Sequence, residues 1–251
     1  MTSPALAHNV RGRGRHYTNP LTGEDVPSVT NVIGVLDKPA LPRWAAKMTA
    51  EAAWKMRGSL DAMGEAEAID VLKGSPWRNS GRAADRGTSI HDYLEARAEG
   101  RMLPKLEGDA LRYKAGADQF LEQYRPEFVR TEFTCFGDGY AGTADFQAWI
   151  DGRLVIGDYK TSKALYPEIA LQLAAIRFAE SVVNDDGNVS EMPEVDGCVG
   201  VLITPDGCDV REIAADLNAH RAFMACLSAW EWRKGPKPVG DVVPTPGEVA
   251  A

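Results

Sequence analysis

The sequence predicts an α/β fold with a mainly antiparallel mixed sheet flanked by helices, plus a helical N-terminal part. Between residues 42 and 123, apolar side chains recur at helical spacing. Residues 127–160 are rich in β-branched and aromatic residues, and the pairs Asp138-Gly139 and Asp151-Gly152 divide them. Asp-Gly between two such runs is typical of a tight hairpin. Helical and strand patterns then alternate to residue 234, which completes the α/β pattern.

The predicted elements follow in order along the chain. A β-branched run over 27–36 indicates a short strand or the start of a helix. Helices are predicted over 42–73 (two, broken at Gly58-Ser59), 81–98, 109–123, 167–183 and 214–234. Strands are predicted over 127–136, 139–150, 153–160, 198–204 and 208–213, with an acidic linker over 184–197.

This order of elements predicts one folded domain between two tails. Residues 1–16 are expected to be a flexible tail, whose Arg11-Gly12-Arg13-Gly14-Arg15 run could contact phosphates. Residues 17–234 form the domain, with a helical part over 17–80 and a core over 81–234. The Pro-rich residues 235–251 are expected to be disordered.

Composition and charge restrict the class of protein. The chain has 251 residues, of which 44% are hydrophobic and 25% charged, which excludes collagen-like, disordered and disulfide-scaffold proteins. Its net charge is −8, and residues 180–216 hold ten acidic residues against Arg211 alone. The remainder is nearly neutral, so a DNA partner stays possible, whereas a nonspecific DNA coat protein is disfavoured. The sequence shows neither a membrane-length apolar run nor a secretory h-region, so we expect no membrane partner and a cytoplasmic protein.

The cysteines do not have the spacing of a metal-binding motif. They lie at positions 135, 198, 208 and 226, and no two are separated by only two residues. Common zinc and iron–sulfur sites need closer pairs. We therefore expect reduced thiols and no iron–sulfur cluster.

Pairing through the two Asp-Gly turns aligns acidic residues across three strands. Counting back from Asp151-Gly152 places Asp145 opposite Asp158, and counting back from Asp138-Gly139 places Glu132 opposite Asp145. Like charges at such positions are destabilising, so the row favours a hard divalent cation with oxygen ligands. Lys160 lies two residues beyond Asp158 and hence on the same face. The alternative is a β-bulge that breaks the alignment and leaves solvated surface acids.

Several motifs resemble the PD-(D/E)XK nuclease superfamily. Gly142-Thr143-Ala144-Asp145 followed by Asp158-Tyr159-Lys160-Thr161-Ser162-Lys163 resembles its core. Arg86-Gly87-Thr88-Ser89-Ile90-His91 with Glu95 resembles the helix motif of its RecB-like exonuclease branch. Residues 167–179, with Gln172, resemble the helix that follows the lysine strand. The opening HYTNPLTGEDVPSVTNVIGVLDKPAL is similar to phage-encoded members.

The resemblance implies a fold, an activity and partners. The fold would be a restriction-endonuclease-like core, and the activity Mg²⁺- or Mn²⁺-dependent exonucleolytic hydrolysis of DNA. The partners would be single- or double-stranded DNA ends, with a phage annealing protein or a helicase as a separate chain. The setting would be phage recombination, repair or DNA processing in the host cytoplasm. Polarity, strand preference, the number of metal ions and oligomeric state are not indicated.

The resemblance also implies roles for individual residues. The metal ligands would be Asp145, Asp158, the backbone carbonyl of Tyr159 and His91, whose nitrogen makes Mn²⁺ acceptable beside Mg²⁺. Lys160 would position the attacking water or stabilise the phosphorane. The remaining catalytic residues would be Glu132, for a second cation or a water, and Gln172, which would orient Lys160 or a phosphate.

Further residues could act around that centre. Arg78, Arg82 and Arg86 recur every four residues and would form a phosphate-binding stripe on a continuous helix, or a solvated face. Lys163 is a further candidate for DNA binding. Glu95 would be a partner of His91 or a surface acid, and Gly87 would let the helix approach the sheet.

The sequence departs from the branch at one position, and other functions remain open. Ile176 stands where the branch often has a tyrosine four residues after the glutamine. His91-Asp92 also matches the dipeptide of HD-type phosphohydrolases, but the chain has few other histidines to complete that site. The remaining alternatives are a flap or branch endonuclease of the same superfamily and a non-catalytic DNA-binding or interaction module.

Overall fold

The computed structural model describes residues 6–184, 187–235 and 239–240. The described strands are β1 Ala7–Val10, β2 Gly14–Thr18, β3 Asp25–Pro27, β4 Glu127–Gly137, β5 Tyr140–Ile150, β6 Arg153–Lys160, β7 Ser181–Val183, β8 Val189–Glu191, β9 Gly197–Thr204 and β10 Gly207–Glu212. The described helices are α1 Val29–Ile33, α2 Ala40–Leu60, α3 Glu65–Lys73, α4 Ser75–Ala98, α5 Gly108–Leu111, α6 Lys114–Tyr124, α7 Glu168–Arg177 and α8 Leu217–Lys234.

A seven-stranded mixed sheet forms the centre of the α/β fold. Its strand order is β10-β9-β6-β5-β4-β7-β8, and β6–β9 is the parallel pair while the other neighbours are antiparallel. A three-stranded antiparallel sheet, β1-β2-β3, lies beside it. The prediction of a mainly antiparallel mixed sheet flanked by helices is therefore confirmed.

Both predicted hairpins form with the predicted register. Gly137 pairs with Tyr140, and Ile150 pairs with Arg153. In the second turn, Asp151 and Gly152 both have positive φ, at 50° and 73°. Two central residues with positive φ define the type I′ turn, whose twist matches that of the flanking strands.

The prediction of a flexible tail over residues 1–16 was wrong where the structure describes that segment. Residues 7–10 and 14–18 are strands β1 and β2, and Tyr17 is 1% exposed. The Gly-rich run supplies the turn between them, because Gly12 and Gly14 have φ values of 75° and 77°. A small sheet thus precedes the helices of the N-terminal part. Most of the predicted 235–251 tail lies outside the described residues.

Several helix boundaries differ from the predictions. Helix α2 continues through Gly58-Ser59 and ends at Leu60, because an isolated glycine inside a helix costs only about 1 kcal/mol. Helix α4 begins at Ser75, six residues earlier than predicted, with proline in its first turn. The predicted helix over 109–123 is divided between α5 and α6, and the one over 167–183 ends at Arg177, before β7. Strand β8 lies in the predicted acidic linker, and the last helix begins at Leu217.

Helices cover both faces of the central sheet. On one face, Leu173 and Ile176 of α7 pack against Ile156 of β6 and its neighbours. On the other face, Ile90 of α4 and Phe120 of α6 pack in one apolar cluster with Phe146 of β5 and Tyr159 of β6. Helices α2 and α3 bury no residue completely. Among the helices that the structure describes, none combines the length and the apolar character required to cross a membrane.

Candidate functional site

The candidate site lies where strands β5 and β6 separate. Their last backbone pair is Phe146 with Gly157, one step before Asp145 and Asp158. Beyond it, the Tyr159 N–H donates to the Asp145 carboxylate at 2.5 Å. Strand β6 continues to pair with β9 as far as Lys160. The two predicted aspartates therefore lie in an opening at the edge of the β5–β6 ladder.

Glu132 joins this opening from β4. The β4–β5 pairing keeps the predicted register on either side of Glu132, where Thr131 pairs with Phe146 and Phe133 with Ala144. Glu132 therefore lies beside Asp145. Its φ of 44° interrupts the ladder. A left-handed conformation costs a residue with a side chain roughly 1–2 kcal/mol. The register of the β4–β5 pairing also shifts between Phe128 and Arg130. This irregularity lies nearer the start of β4 and does not displace the acids.

Helix α4 places His91 over the carboxylates. Its Nδ1 lies 3.4 Å from an oxygen of Asp145 and 4.0 Å from one of Glu132. Its Nε2 lies 3.0 Å from the backbone carbonyl of Tyr159. One atom each from His91, Glu132 and Asp145 lie within 4.8 Å of one another, which is a spacing that could hold a metal ion.

Two side chains contact the carboxylate of Asp158. Gln172 of α7 donates from Nε2 to Asp158 Oδ1 at 2.7 Å. The ammonium of Lys160 contacts the other oxygen of Asp158. The Asp158 side chain is 3% exposed, whereas that of Lys160 is 33% exposed. Gln172 thus orients Asp158 in this structure, whereas the predicted role was to orient Lys160 or a phosphate.

Burial and like charges govern the electrostatics of the site. Burial and the charge of Asp145 raise the pKa of Glu132 to about 8. Burial, against the opposing charge of Lys160, raises the pKa of Asp158 to about 6. Burial alone would lower the pKa of His91, but the surrounding carboxylates, chiefly Asp145, raise it to about 9. These acids thus lie in surroundings where an added cation would be strongly stabilised.

A cavity of about 200 Å³ opens over these groups. Its floor holds the acids, His91, Lys160 and Gln172, and the N-terminal segment forms another wall. That wall contributes Arg15, Tyr17, Ser28 and Thr30. Sequence reasoning did not place these residues at the site. The signal in the sequence is the run from Arg11 to Arg15, which predicts a flexible tail that could contact phosphates.

The arginines of the predicted phosphate-binding stripe interact with other groups of the protein. The stripe does lie on one continuous helix, α4. Arg86 donates to Asp109 at 2.6 Å and to the Thr161 carbonyl at 3.1 Å, and stacks over Tyr113 at 4.7 Å. Arg78 donates to the backbone carbonyl of Val71 at 2.6 Å. Arg82 lies with Arg86 beside a second cavity.

The structure assigns other surroundings to three more predicted residues. Glu95 forms an ion pair with Arg101 at 2.8 Å, while both ring nitrogens of His91 face other groups. A Cβ on Gly87 would meet its nearest neighbour, the Thr161 hydroxyl, at 3.5 Å, which is ordinary contact. The helix could therefore approach the sheet with alanine there as well. Lys163 is exposed beyond β6.

Ile176 lines the cavity at the position where the resemblance would place a tyrosine. It is 1% exposed and packs near Gly142 of β5. A tyrosine hydroxyl does reach the cavity from the other wall, because Tyr17 of β2 lies there with its hydroxyl 3.0 Å from that of Thr143. The four cysteines are free thiols.

Comparison of the sequence with models of known protein families and with curated proteins gave no match.

Proposed function

We propose that this chain is a metal-dependent DNA exonuclease with a restriction-endonuclease-like core, of the RecB-like PD-(D/E)XK type. The observation that carries the proposal is the convergence of distant motif residues on one cavity. His91, Asp145, Asp158, Lys160 and Gln172 come from two helices and two strands and all line it. Metal-dependent hydrolysis of a phosphodiester uses carboxylates to hold the cation and a nearby cationic side chain to position the water or the phosphate.

The donor set of the cavity fits Mg²⁺ or Mn²⁺. Asp145 and Asp158 would supply carboxylate oxygens, the Tyr159 carbonyl a neutral oxygen and His91 a nitrogen. Hard divalent cations prefer oxygen, and Mn²⁺ accepts imidazole more readily than Mg²⁺ does. The bound metal would lower the pKa of a water and offset charge on the phosphate. Glu132 lies near enough to His91 and Asp145 to join them.

The chain's own side chains would orient the reacting groups. Gln172 and Lys160 hold the two oxygens of Asp158 and so set its rotamer. The partly exposed ammonium of Lys160 faces the cavity, where it would hold a water or an anionic phosphate oxygen. The Tyr159 N–H fixes one oxygen of Asp145 and leaves the other toward His91. Such preorganisation limits the rearrangement needed when substrate binds.

The test is a degradation assay on three DNA substrates. End-labelled linear single-stranded DNA, linear double-stranded DNA and a closed circle are each incubated with Mg²⁺, Mn²⁺ or EDTA. We expect metal-dependent loss of linear DNA only, abolished by Asp158→Ala and by Lys160→Ala. Lys38→Ala is the matched control, because Lys38 is exposed and lies outside the cavity. Melting curves of every variant separate lost chemistry from lost fold.

The other outcomes separate the competing functions. Cleavage of the circle as well would replace the exonuclease with an endonuclease. DNA binding without cleavage in any metal would overturn the proposed activity in favour of a non-catalytic module. Unchanged cleavage by Asp158→Ala or Lys160→Ala would remove the site assignment. A role in phage recombination or repair, together with an annealing protein or helicase, is proposed on the resemblance alone.

A further inference from the structure

The N-terminal sheet is attached to the strand that carries Asp145. The hydroxyl of Tyr17 on β2 lies 3.0 Å from that of Thr143 on β5, two residues before Asp145. Ser28, which follows β3, forms an isolated backbone bridge with Ala141 of β5. Tyr17 and Ser28 are 1% and 2% exposed, so both attachments are buried. This sheet is therefore a fixed wall of the candidate site.

Arg15 has a fixed backbone on that wall. Its carbonyl accepts hydrogen bonds from the Ser28 N–H at 3.0 Å and from the Asn31 side-chain amide at 2.7 Å. Gly14, with a φ of 77°, leaves room for this amide, since a Cβ there would lie 2.7 Å from it. The position from which the Arg15 side chain enters the cavity is thus set by the fold.

The guanidinium of Arg15 is available to a ligand. Arg15 is an exposed residue that lines the cavity. Within the part of the chain that the structure describes, no hydrogen bond or ion pair engages its side chain. Lys160, on the floor of the cavity, is already in contact with Asp158. The cavity therefore holds Lys160 and His91 beside acids, and Arg15, whose side chain has no partner among the described residues.

We propose that Arg15 binds a backbone phosphate of the nucleic acid strand that enters the cavity. This inference rests on the proposed nuclease function and adds the N-terminal sheet to the substrate-binding surface. A strand that enters the cavity comes close to both Arg15 and Lys160, because both residues line it. The guanidinium on this wall adds a positive charge to the surface that the strand meets, and its planar donors match phosphate oxygens in two-point geometry.

The first experiment compares DNA binding by Arg15→Gln, Arg15→Lys and Arg221→Gln. Arg221 is an exposed residue of α8 outside the cavity, so its replacement removes the same charge elsewhere. Fluorescence anisotropy with a labelled oligonucleotide in CaCl₂ gives the dissociation constants. We expect Arg15→Gln to weaken binding about 10- to 100-fold, the range for a lost charged hydrogen bond. Arg15→Lys should fall between, and Arg221→Gln should stay within about twofold. Matching losses in Arg15→Gln and Arg221→Gln would overturn the proposal.

The second experiment identifies the contacted phosphate. Oligonucleotides that each carry one neutral methylphosphonate linkage are bound to the natural chain and to Arg15→Gln. We expect one linkage whose neutralisation weakens binding by the natural chain but not by Arg15→Gln, as a coupled pair requires. Sensitivity that is identical at every linkage would contradict the contact.

These readouts separate the proposal from the nuclease activity on which it rests. Failure of the natural chain to cleave DNA with any metal would reject the proposed function, while the binding comparison would still test Arg15. Cleavage by the natural chain with equal binding by Arg15→Gln and Arg221→Gln would reject the role of Arg15 alone. Melting curves must show that Arg15→Gln stays folded; if it unfolds, Arg15→Lys takes its place in both the binding comparison and the linkage scan.

Discussion

Glu132 carries two unfavourable features in a single residue. Its backbone is left-handed inside a strand, and its side chain is mostly buried beside Asp145. Such features persist where the surrounding structure imposes them, and they concentrate at functional sites. The neighbouring pairs Thr131–Phe146 and Phe133–Ala144 impose the position here. The proposed cation would offset the second of these features by neutralising the buried charge.

Glu132→Gln should stabilise the metal-free chain. Burial and Asp145 raise the pKa of Glu132 to about 8, so its ionised form is disfavoured in the fold. The folded state consequently holds a proton that the unfolded state releases near pH 4.5, and stability falls as pH rises from there to about 8. The gain in melting temperature in EDTA should grow from pH 5 to pH 9. We expect at least about 2–4 °C, the shift produced by 1 kcal/mol in a domain of this size.

The same substitution should weaken the response to metal. If Glu132 contributes to the cation site, Mn²⁺ should raise the melting temperature of Glu132→Gln less than that of the natural chain. Glu127→Gln is the control, since Glu127 is an exposed residue of the same strand. A melting temperature in EDTA at pH 9 no higher than that of the natural chain would contradict the electrostatic account.

At the scale of elements, the opening between β5 and β6 depends on how closely the strands pack just before it. Gly157 and Phe146 form the last pair of the β5–β6 ladder. A Cβ on Gly157 would lie 1.8 Å from the Phe146 ring, so the ring occupies the space of the missing side chain. Phe146 also stacks on Tyr159 with centroids 4.8 Å apart. The ring thereby supports the backbone on both sides of Asp158.

Gly157→Ala should destabilise the chain by about 1–3 kcal/mol or more, because the Phe146 ring must move out of a packed cluster. Urea denaturation measures the change. Gly81→Ala is the matched control, since Gly81 lies in helix α4 with open space around it. That control should stabilise the chain by up to about 1 kcal/mol. Equal effects of the two substitutions would show that the ring does not restrict position 157.

A second connection between elements runs through Arg86. It joins α4 to Asp109 of α5 and to the carbonyl of Thr161, the residue that follows Lys160. Its side chain is 16% exposed. We expect Arg86→Gln to lower stability by about 1–3 kcal/mol by removing charged hydrogen bonds. Melting curves and DNA binding measured together distinguish the roles: weaker binding at unchanged stability would favour the predicted phosphate contact.

At the scale of the whole molecule, burial is unevenly distributed. Helix α7 buries Ile169, Leu173 and Ile176 against the central sheet. Helices α2 and α3 bury no residue completely, and Trp54 of α2 is 70% exposed. Local opening requires less free energy where few apolar contacts must break. The central sheet with α7 should therefore be the most stable unit.

Hydrogen–deuterium exchange tests this distribution. We expect amides of α2 and α3 to exchange at least about tenfold faster than those of α7, since a difference of 1.4 kcal/mol in opening free energy gives that ratio. Strand β2 should resemble the central sheet, because Tyr17 attaches it to β5. Equal protection of α2 and α7 would show that the exposed helices are stabilised in some other way.

The hairpins and the order of acids along them could be predicted from the residues. An Asp-Gly pair specifies its own turn, and the two-residue period of a strand then places Glu132 beside Asp145. The same reasoning places Asp145 and Asp158 on adjoining strands, although the backbone pairing of β5 with β6 stops one residue pair before them. These relations extend over few residues, so local turn chemistry is enough to specify them.

Which residues contact the site residues could be determined only from the folded structure. Gln172 could be placed on a helix, but its contact with Asp158 depends on how α7 packs. Glu95 could be placed one turn from His91, but Arg101 competes for its carboxylate. The largest difference is the N-terminal wall: Tyr17 contacts Thr143 across 126 positions of the chain. Periodicity within a segment carries no information about such a contact, because packing between distant segments establishes it.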